Sequence, residues 1–136
     1  MVKQGVVPDD FNKPFFDAAN EGRLVVQSCT GSDRLYFPPR PASEICGEGE
    51  SVVWKEMSGR GTIYNYCVVY DCPVASLKED LPFNLAVIML DEDPGILMYS
   101  HLPGVPPDEV PVGAAVRVIF EETANGQKVP EWVLVE

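Results

Sequence analysis

The sequence holds a single histidine, His101. Any Ser–His or Cys–His pair would have to be built on it, and nothing marks a partner nucleophile with a supporting carboxylate. Basic residues are also scarce: ten Lys and Arg stand against 21 Asp and Glu, for a net charge of −11. The deficit is uneven. Residues 23–60 balance five basic against five acidic side chains, whereas residues 71–136 hold three basic and twelve acidic, a net of −9. Phosphate-backbone binding rests on basic grooves, so this half argues against a nucleic-acid partner. No apolar run approaches the ~20 residues of a transmembrane helix. The start, Met1-Val2-Lys3-Gln4-Gly5, lacks the basic-then-apolar build of a signal peptide, and a cytoplasmic location follows as the default. Cysteines number four, at 29, 46, 67 and 72. In a reducing cytosol they read as thiols or metal ligands rather than as a disulfide framework.

What is present is ordinary for a globular chain of 136 residues, 46% of them hydrophobic. The organising stretch runs from Val53 to Tyr70. β-branched and aromatic residues alternate on either side of Ser58-Gly59-Arg60-Gly61, and no second turn signal interrupts them. Glycines inside such a pattern mark a bend, so the spacing predicts one long kinked strand, as at the start of an OB-fold. Four more strands are expected at Phe83–Leu90, Ile96–Leu102, Ala115–Glu121 and Val129–Val135, with a turn at Asp91–Gly95 and a hairpin at Asn125-Gly126. A helical turn at 106–110 links the third to the fourth. Upstream, Asn12 caps a short helix with Pro14 in its first turn and Gly22 as its stop. Phe15, Phe16 and Ala19 share one face of it, a docking stripe for a neighbour in this chain or another. Between lie short strands at 24–27 and 35–37, then Pro38-Pro39-Arg40-Pro41, which forbids helix. So small a unit needs a staple.

Together these pieces resemble a known family, the acyl-CoA-associated zinc-ribbon/OB-fold proteins. The matching stretches are Pro14-Phe15-Phe16, Gly22-Arg23-Leu24, Gln27-Ser28-Cys29, Phe37-Pro38-Pro39-Arg40, Cys46-Gly47, Ser58-Gly59-Arg60-Gly61-Thr62-Ile63-Tyr64, Gly113 with Val116, and the closing strand after Asn125-Gly126. The resemblance implies a mainly β chain: an N-terminal helical segment (1–22), a rubredoxin-like zinc ribbon (23–52) and a five-stranded OB-fold barrel (53–136). It further implies a non-catalytic accessory subunit that binds a thiolase-fold enzyme (thiolase, acyltransferase or steroid side-chain aldolase) as a heteromer and helps form its acyl-CoA channel. Acyl-CoA would be the partner's substrate, and this chain would bind no cofactor of its own. The alternatives are a partner of a hotdog-fold acyl-CoA hydratase, a nucleic-acid-binding OB module, and a free-standing acyl-CoA-binding or hydrolytic protein.

One departure from the family pattern stands out. The ribbon ligands should be two Cys-x-x-Cys knuckles, but the positions read Cys29, Ser32, Ser43 and Cys46. Structural zinc takes four thiolate or imidazole ligands, and a serine hydroxyl stays protonated at neutral pH, so no metal is expected. Such zinc is worth ~10–16 kcal/mol in finger peptides. Proline stiffening at 38–41, apolar cover from Tyr36, Phe37 and Trp54, or partner contacts would offset its loss. A Cys29–Cys46 disulfide, one ligand position from each knuckle, is the lesser alternative. It would contribute ~3 kcal/mol against the cytosolic poise.

Four residues are singled out for contact with acyl-CoA or the partner: Arg40, Arg60, Tyr64 and Tyr66. The arginines flank proline or glycine breaks, where they would meet phosphate or carboxylate or else tie ribbon to barrel through carbonyls. Tyr64, Tyr66 and Tyr70 form a stripe that reads as barrel core or partner interface, with base stacking the rival use. His101 reads as a surface or barrel-wall residue, Asp91, Glu92 and Asp93 as a solvated turn, and Met57, Met89 and Met98 as core.

Overall fold

The computed structural model describes residues 3–136; Met1 and Val2, where the expected 1–22 segment begins, lie outside the described residues. Helix α1 spans Lys13–Asn20. Asn12 holds the N-cap position without capping: its Oδ1 accepts the Asp9 N–H at 2.7 Å instead of a helix N–H. Gly22, at φ +76°, ends the helix as expected, with its N–H donated to the Ala19 carbonyl. The docking stripe meets this same chain. Phe15 lies 5.7 Å, centroid to centroid, from Phe37, and Gln127 Nε2 donates to the Phe16 carbonyl at 3.0 Å.

Strands β1 (Val25–Cys29), β2 (Ser32–Tyr36) and β3 (Val52–Glu56) form a three-stranded antiparallel sheet in the order β2-β1-β3, with helix α2 (Ala42–Ile45) in the connection. The proline run at 38–41 holds no helix, and α2 begins only after Pro41; from its sequence the segment has few core-forming residues. Instead β1 is buried along its whole length, and Val25 and Val26 join the same apolar cluster as Phe15 and Met57. Two buried polar residues fasten its neighbours. Gln27 accepts the Arg40 N–H and donates to the Arg40 carbonyl, both at 2.8 Å, and Ser28 Oγ donates to the Arg34 carbonyl at 2.7 Å.

The stretch expected as one bent strand is two. β3 pairs with β1, Gln27 opposite Trp54, whereas β4 (Arg60–Val69) belongs to a second sheet. The cause is Gly59 at φ +77°, a conformation that turns the chain out of the first sheet. Ser58 holds the turn, donating its N–H and hydroxyl to Glu92 at 2.5 and 3.1 Å. The division between the two sheets falls at Met57–Gly59.

The second sheet is antiparallel, ordered β6-β5-β4-β7-β8, with β5 Phe83–Leu90, β6 Leu97–Ser100, β7 Ala115–Glu122 and β8 Lys128–Leu134. It curls into a nearly closed barrel, as the OB-fold reading requires. A 3₁₀ turn at Ala75–Asp80 sits in the loop before β5. The expected helical link at 106–110 is only a turn, Glu109 N–H to the Pro106 carbonyl at 3.1 Å. Ile63, Ala86, Ile88, Leu90, Met98, Val116 and Trp132 fill the interior. Ser100 brings β6 to β8: its hydroxyl accepts the Trp132 N–H at 3.0 Å and lies 2.5 Å from the Glu131 carboxylate. Among the described residues no helix is long and apolar enough to cross a membrane.

Candidate partner interface

Every position of β5 except Asn84 is apolar, and a strand has two faces. Asn84, Ala86, Ile88 and Leu90 point inward and are buried, leaving Phe83, Leu85, Val87 and Met89 half-buried on the outside. Directly opposed residues share a face. The register sets Val87 between Asn65 of β4 and Tyr99 of β6, Met89 between Thr62 and Leu97, Leu85 beside Cys67, and Phe83 beside Val69. The result is an apolar surface three strands wide, on which Tyr99 is 73% and Leu97 40% exposed. Asn65, Tyr66, Cys67, Leu85, Val87 and Tyr99 line a shallow hollow of about 170 Å³. β5 and β6 are the barrel's second and third strands, the face with which OB-folds bind their ligands. Met89 thus belongs to this outer surface rather than to the core expected for it, while Met57 and Met98 are buried.

The tyrosine stripe is not barrel core. A register shift between Ile63 and Asn65 pushes Tyr64 out of the ladder, 58% exposed, and Tyr70 lies beyond the strand end, also exposed. Tyr66 alone packs against the core, donating its hydroxyl to the Asp108 carbonyl at 3.3 Å. The shift breaks the two-residue period on which the stripe was read.

Arg60 opens β4 directly opposite Arg117 of β7, both exposed, on the same side as Thr62 and Met89. Among the described residues neither guanidinium makes an ion pair. Like charges opposed in this way destabilise a free sheet, and their forked donors match a carboxylate or phosphate. Arg40 is elsewhere, on the first sheet. Gln27 binds its backbone, and its guanidinium carbon lies 5.7 Å from the Tyr36 ring centroid, where Arg34 also stacks at 5.2 Å. Arg40 Nε is buried with no hydrogen-bond partner, so Arg40 is fastened to the sheet by Gln27 through its backbone and by Tyr36 through its guanidinium. Arg60, Tyr64 and Tyr66 thus share β4 but not one face, since Tyr66 lies opposite the inward Ala86, and Arg40 stands apart from all three. Sequence reasoning missed Arg34, Arg117, Leu85, Val87 and Tyr99. The continuous apolarity of β5 was the available signal for the outer surface; Arg117 had none, because strand register decides its neighbour.

At the far end of β1, Cys29 and Cys46 form a disulfide, with Cα atoms 5.6 Å apart. The Glu50 carboxylate stands within 4.8 Å of both sulfurs. Cys67 and Cys72 are free thiols. His101 is half-buried, its ring edge-on to Phe83 at 6.4 Å.

Family models match two parts of the chain: the ChsH2 C-terminal OB-fold domain over residues 54–121 and the ChsH2 rubredoxin-like zinc ribbon domain over residues 16–44. The chain is 33% identical over 107 residues to a probable enoyl-CoA hydratase alpha subunit of Thermomonospora curvata, a match covering 77% of this chain and 31% of that protein. The chain thus corresponds to less than a third of that relative's length. It is 27% identical over 97 residues to a DUF35 domain-containing scaffold protein of Methanocaldococcus jannaschii, covering 71% and 67%. Among solved structures, a chain of the Ltp2-ChsH2(DUF35) aldolase superposes with a TM-score of 0.78 at 26% identity, covering 96% of this chain and 98% of that one.

Proposed function

Since the chain belongs to the ChsH2 zinc-ribbon/OB-fold family, we propose that it is a non-catalytic accessory subunit that seats on a thiolase-fold enzyme acting on acyl-CoA. One observation carries the reading: end-to-end likeness to the chain of an Ltp2-ChsH2(DUF35) aldolase, over 96% of this chain. The outer surface of β4, β5 and β6 supplies the physical means. Burying Leu85, Val87, Leu97 and Tyr99 against a partner removes apolar area from water and stabilises both chains by mass action. Arg60 and Arg117, at the border of that surface, meet a carboxylate of the partner or a phosphate of its acyl-CoA. The hollow beside Tyr66 and Tyr99 then walls part of the acyl channel. An acidic chain of net charge −11 favours a basic partner rim, the kind of surface a CoA diphosphate requires. In this reading the complex is cytosolic and the chemistry is the partner's.

Co-expression with a thiolase-fold acyl-CoA enzyme from the same genome tests the proposal. A co-purifying complex is expected, and separate migration of the two chains on a sizing column overturns it. A hydratase partner is the second reading, favoured by the 33% identity to a hydratase alpha subunit. It predicts capture of a hotdog-fold protein in the same assay. The nucleic-acid reading has the net −9 of residues 71–136 against it, and no salt-dependent shift of a single-stranded oligonucleotide is expected.

A further inference from the structure

The family's ribbon implies a structural zinc, and the donor set here does not fit one. Only Cys29, Cys46 and Glu50 bring Cys, His or carboxylate ligand atoms within 4.8 Å of one another among the described residues, and the two sulfurs are bonded to each other. Ser32 and Ser43 stand at the other two family positions. The Ser32 hydroxyl accepts the Arg34 N–H at 3.1 Å within its own hairpin, and Ser43 is exposed on α2. Glu50 is likewise engaged. Its carboxylate accepts the Gly47 N–H at 3.2 Å and occupies the space where a Cβ on Gly31 would stand, 2.5 Å away. A closed tetrahedron of four thiolate or imidazole ligands is therefore not available to these residues.

We infer that the Cys29–Cys46 bond replaces the metal as the staple of the first sheet, so that the order of residues 30–51 follows thiol redox state rather than metal supply. The bond ties the buried end of β1 to the residue after α2. Between the two lie the β2 hairpin, the proline run and α2, whose residues are mostly exposed or half-buried. Leu35 and Phe37 of that span pack half-buried against the core, and Gln27 and Ser28 fasten its backbone at Ser32, Arg34 and Arg40. The bond forms by exchange: the two thiols give two protons and two electrons to an incoming disulfide, small-molecule or protein, which leaves as two thiols. A dithiol reductant reverses it. Cys29 is buried and Cys46 half-exposed, so the attacking thiolate reaches the Cys46 sulfur. Cys67 and Cys72 lie on the second sheet and in its exit loop and take no part.

The experiment uses the full chain purified without reductant. Alkylation under denaturing conditions, read by intact mass, should label two cysteines before reduction and four after it. Protease cleavage within 30–51 should accelerate about tenfold on adding a phosphine reductant, while the indole N–H resonance of Trp132 keeps its shift. Zinc chloride added to the reduced chain should leave the fast cleavage unchanged. The Cys29→Ala/Cys46→Ala variant should cleave at the fast rate whether or not reductant or zinc is present. Four labels without reductant, one equivalent of bound zinc that restores protection, or a double variant as protected as the oxidised chain would each overturn the inference.

Discussion

In the five-stranded sheet every strand brings an apolar row to one interior, whereas in the three-stranded sheet only β1 is buried throughout. Beyond its ladders to β2 and β3 and the half-buried Leu35, Phe37 and Trp54, the connection between those strands is held by the Gln27 amide, the Ser28 hydroxyl and one covalent bond. The contrast reflects size. A five-stranded barrel encloses side chains from all round, while three short strands present too little area to offset their own ordering. The barrel thus depends on volume and the ribbon on a few directional contacts, so the same kind of substitution should act differently in each.

The largest effect should come from the barrel interior. Trp132 is fully buried, and Trp132→Ala should lower global stability by ~3–5 kcal/mol, seen as a single shifted transition in urea. A transition confined to the ribbon would break the comparison. Gln27→Ala comes next, because it strands the N–H and carbonyl of Arg40. Its cost, on the order of 2 kcal/mol, should fall on the ribbon alone, with faster hydrogen exchange at the Arg40 amide and barrel amides unaffected. Gly59→Ala tests the joint between the sheets. A left-handed alanine costs ~1–2 kcal/mol, and its Cβ would lie 2.6 Å from Val118 Cγ1, so a melting temperature lowered by several degrees is expected. The smallest change in stability, within about 0.5 kcal/mol, belongs to Tyr99→Ala on the outer surface. That same substitution should weaken partner binding by ~2 kcal/mol, roughly thirtyfold, in a titration of the co-purified complex.

Much of this was legible from residues alone. The apolar run Phe83–Leu90, the Asn125-Gly126 turn and the Pro14/Gly22 limits of the helix are local signals, and each stands where it was read. The division of Val53–Tyr70 was not, because strand partners rather than propensity decide that Trp54 lies beside Gln27 and Tyr66 beside Ala86. A glycine can bend a strand or end it, and nothing in Ser-Gly-Arg-Gly distinguishes the two. For the candidate interface, Arg60 was recognisable beside its glycines, but the Arg60–Arg117 pairing and the neighbours of Tyr99 depend on register. Met89 was misread because a barrel strand that is apolar at nearly every position does not announce which face is inside, and Tyr64 because the register shift after Ile63 breaks the two-residue period.

The Ser100 hydroxyl has a consequence for how the barrel moves. Every other neighbouring pair of barrel strands is laced by a backbone ladder, yet β6 and β8 meet through one side chain. A hydroxyl carries a single hydrogen, so it serves either the His101 carbonyl or the Glu131 carboxylate at any instant while still accepting from Trp132. This seam is a zipper with one tooth. Opening there would break no strand pair, so the Trp132 amide, though buried, should exchange with solvent sooner than the ladder amides around it, at the border of the same short strand that carries Leu97 and Tyr99 on its other face.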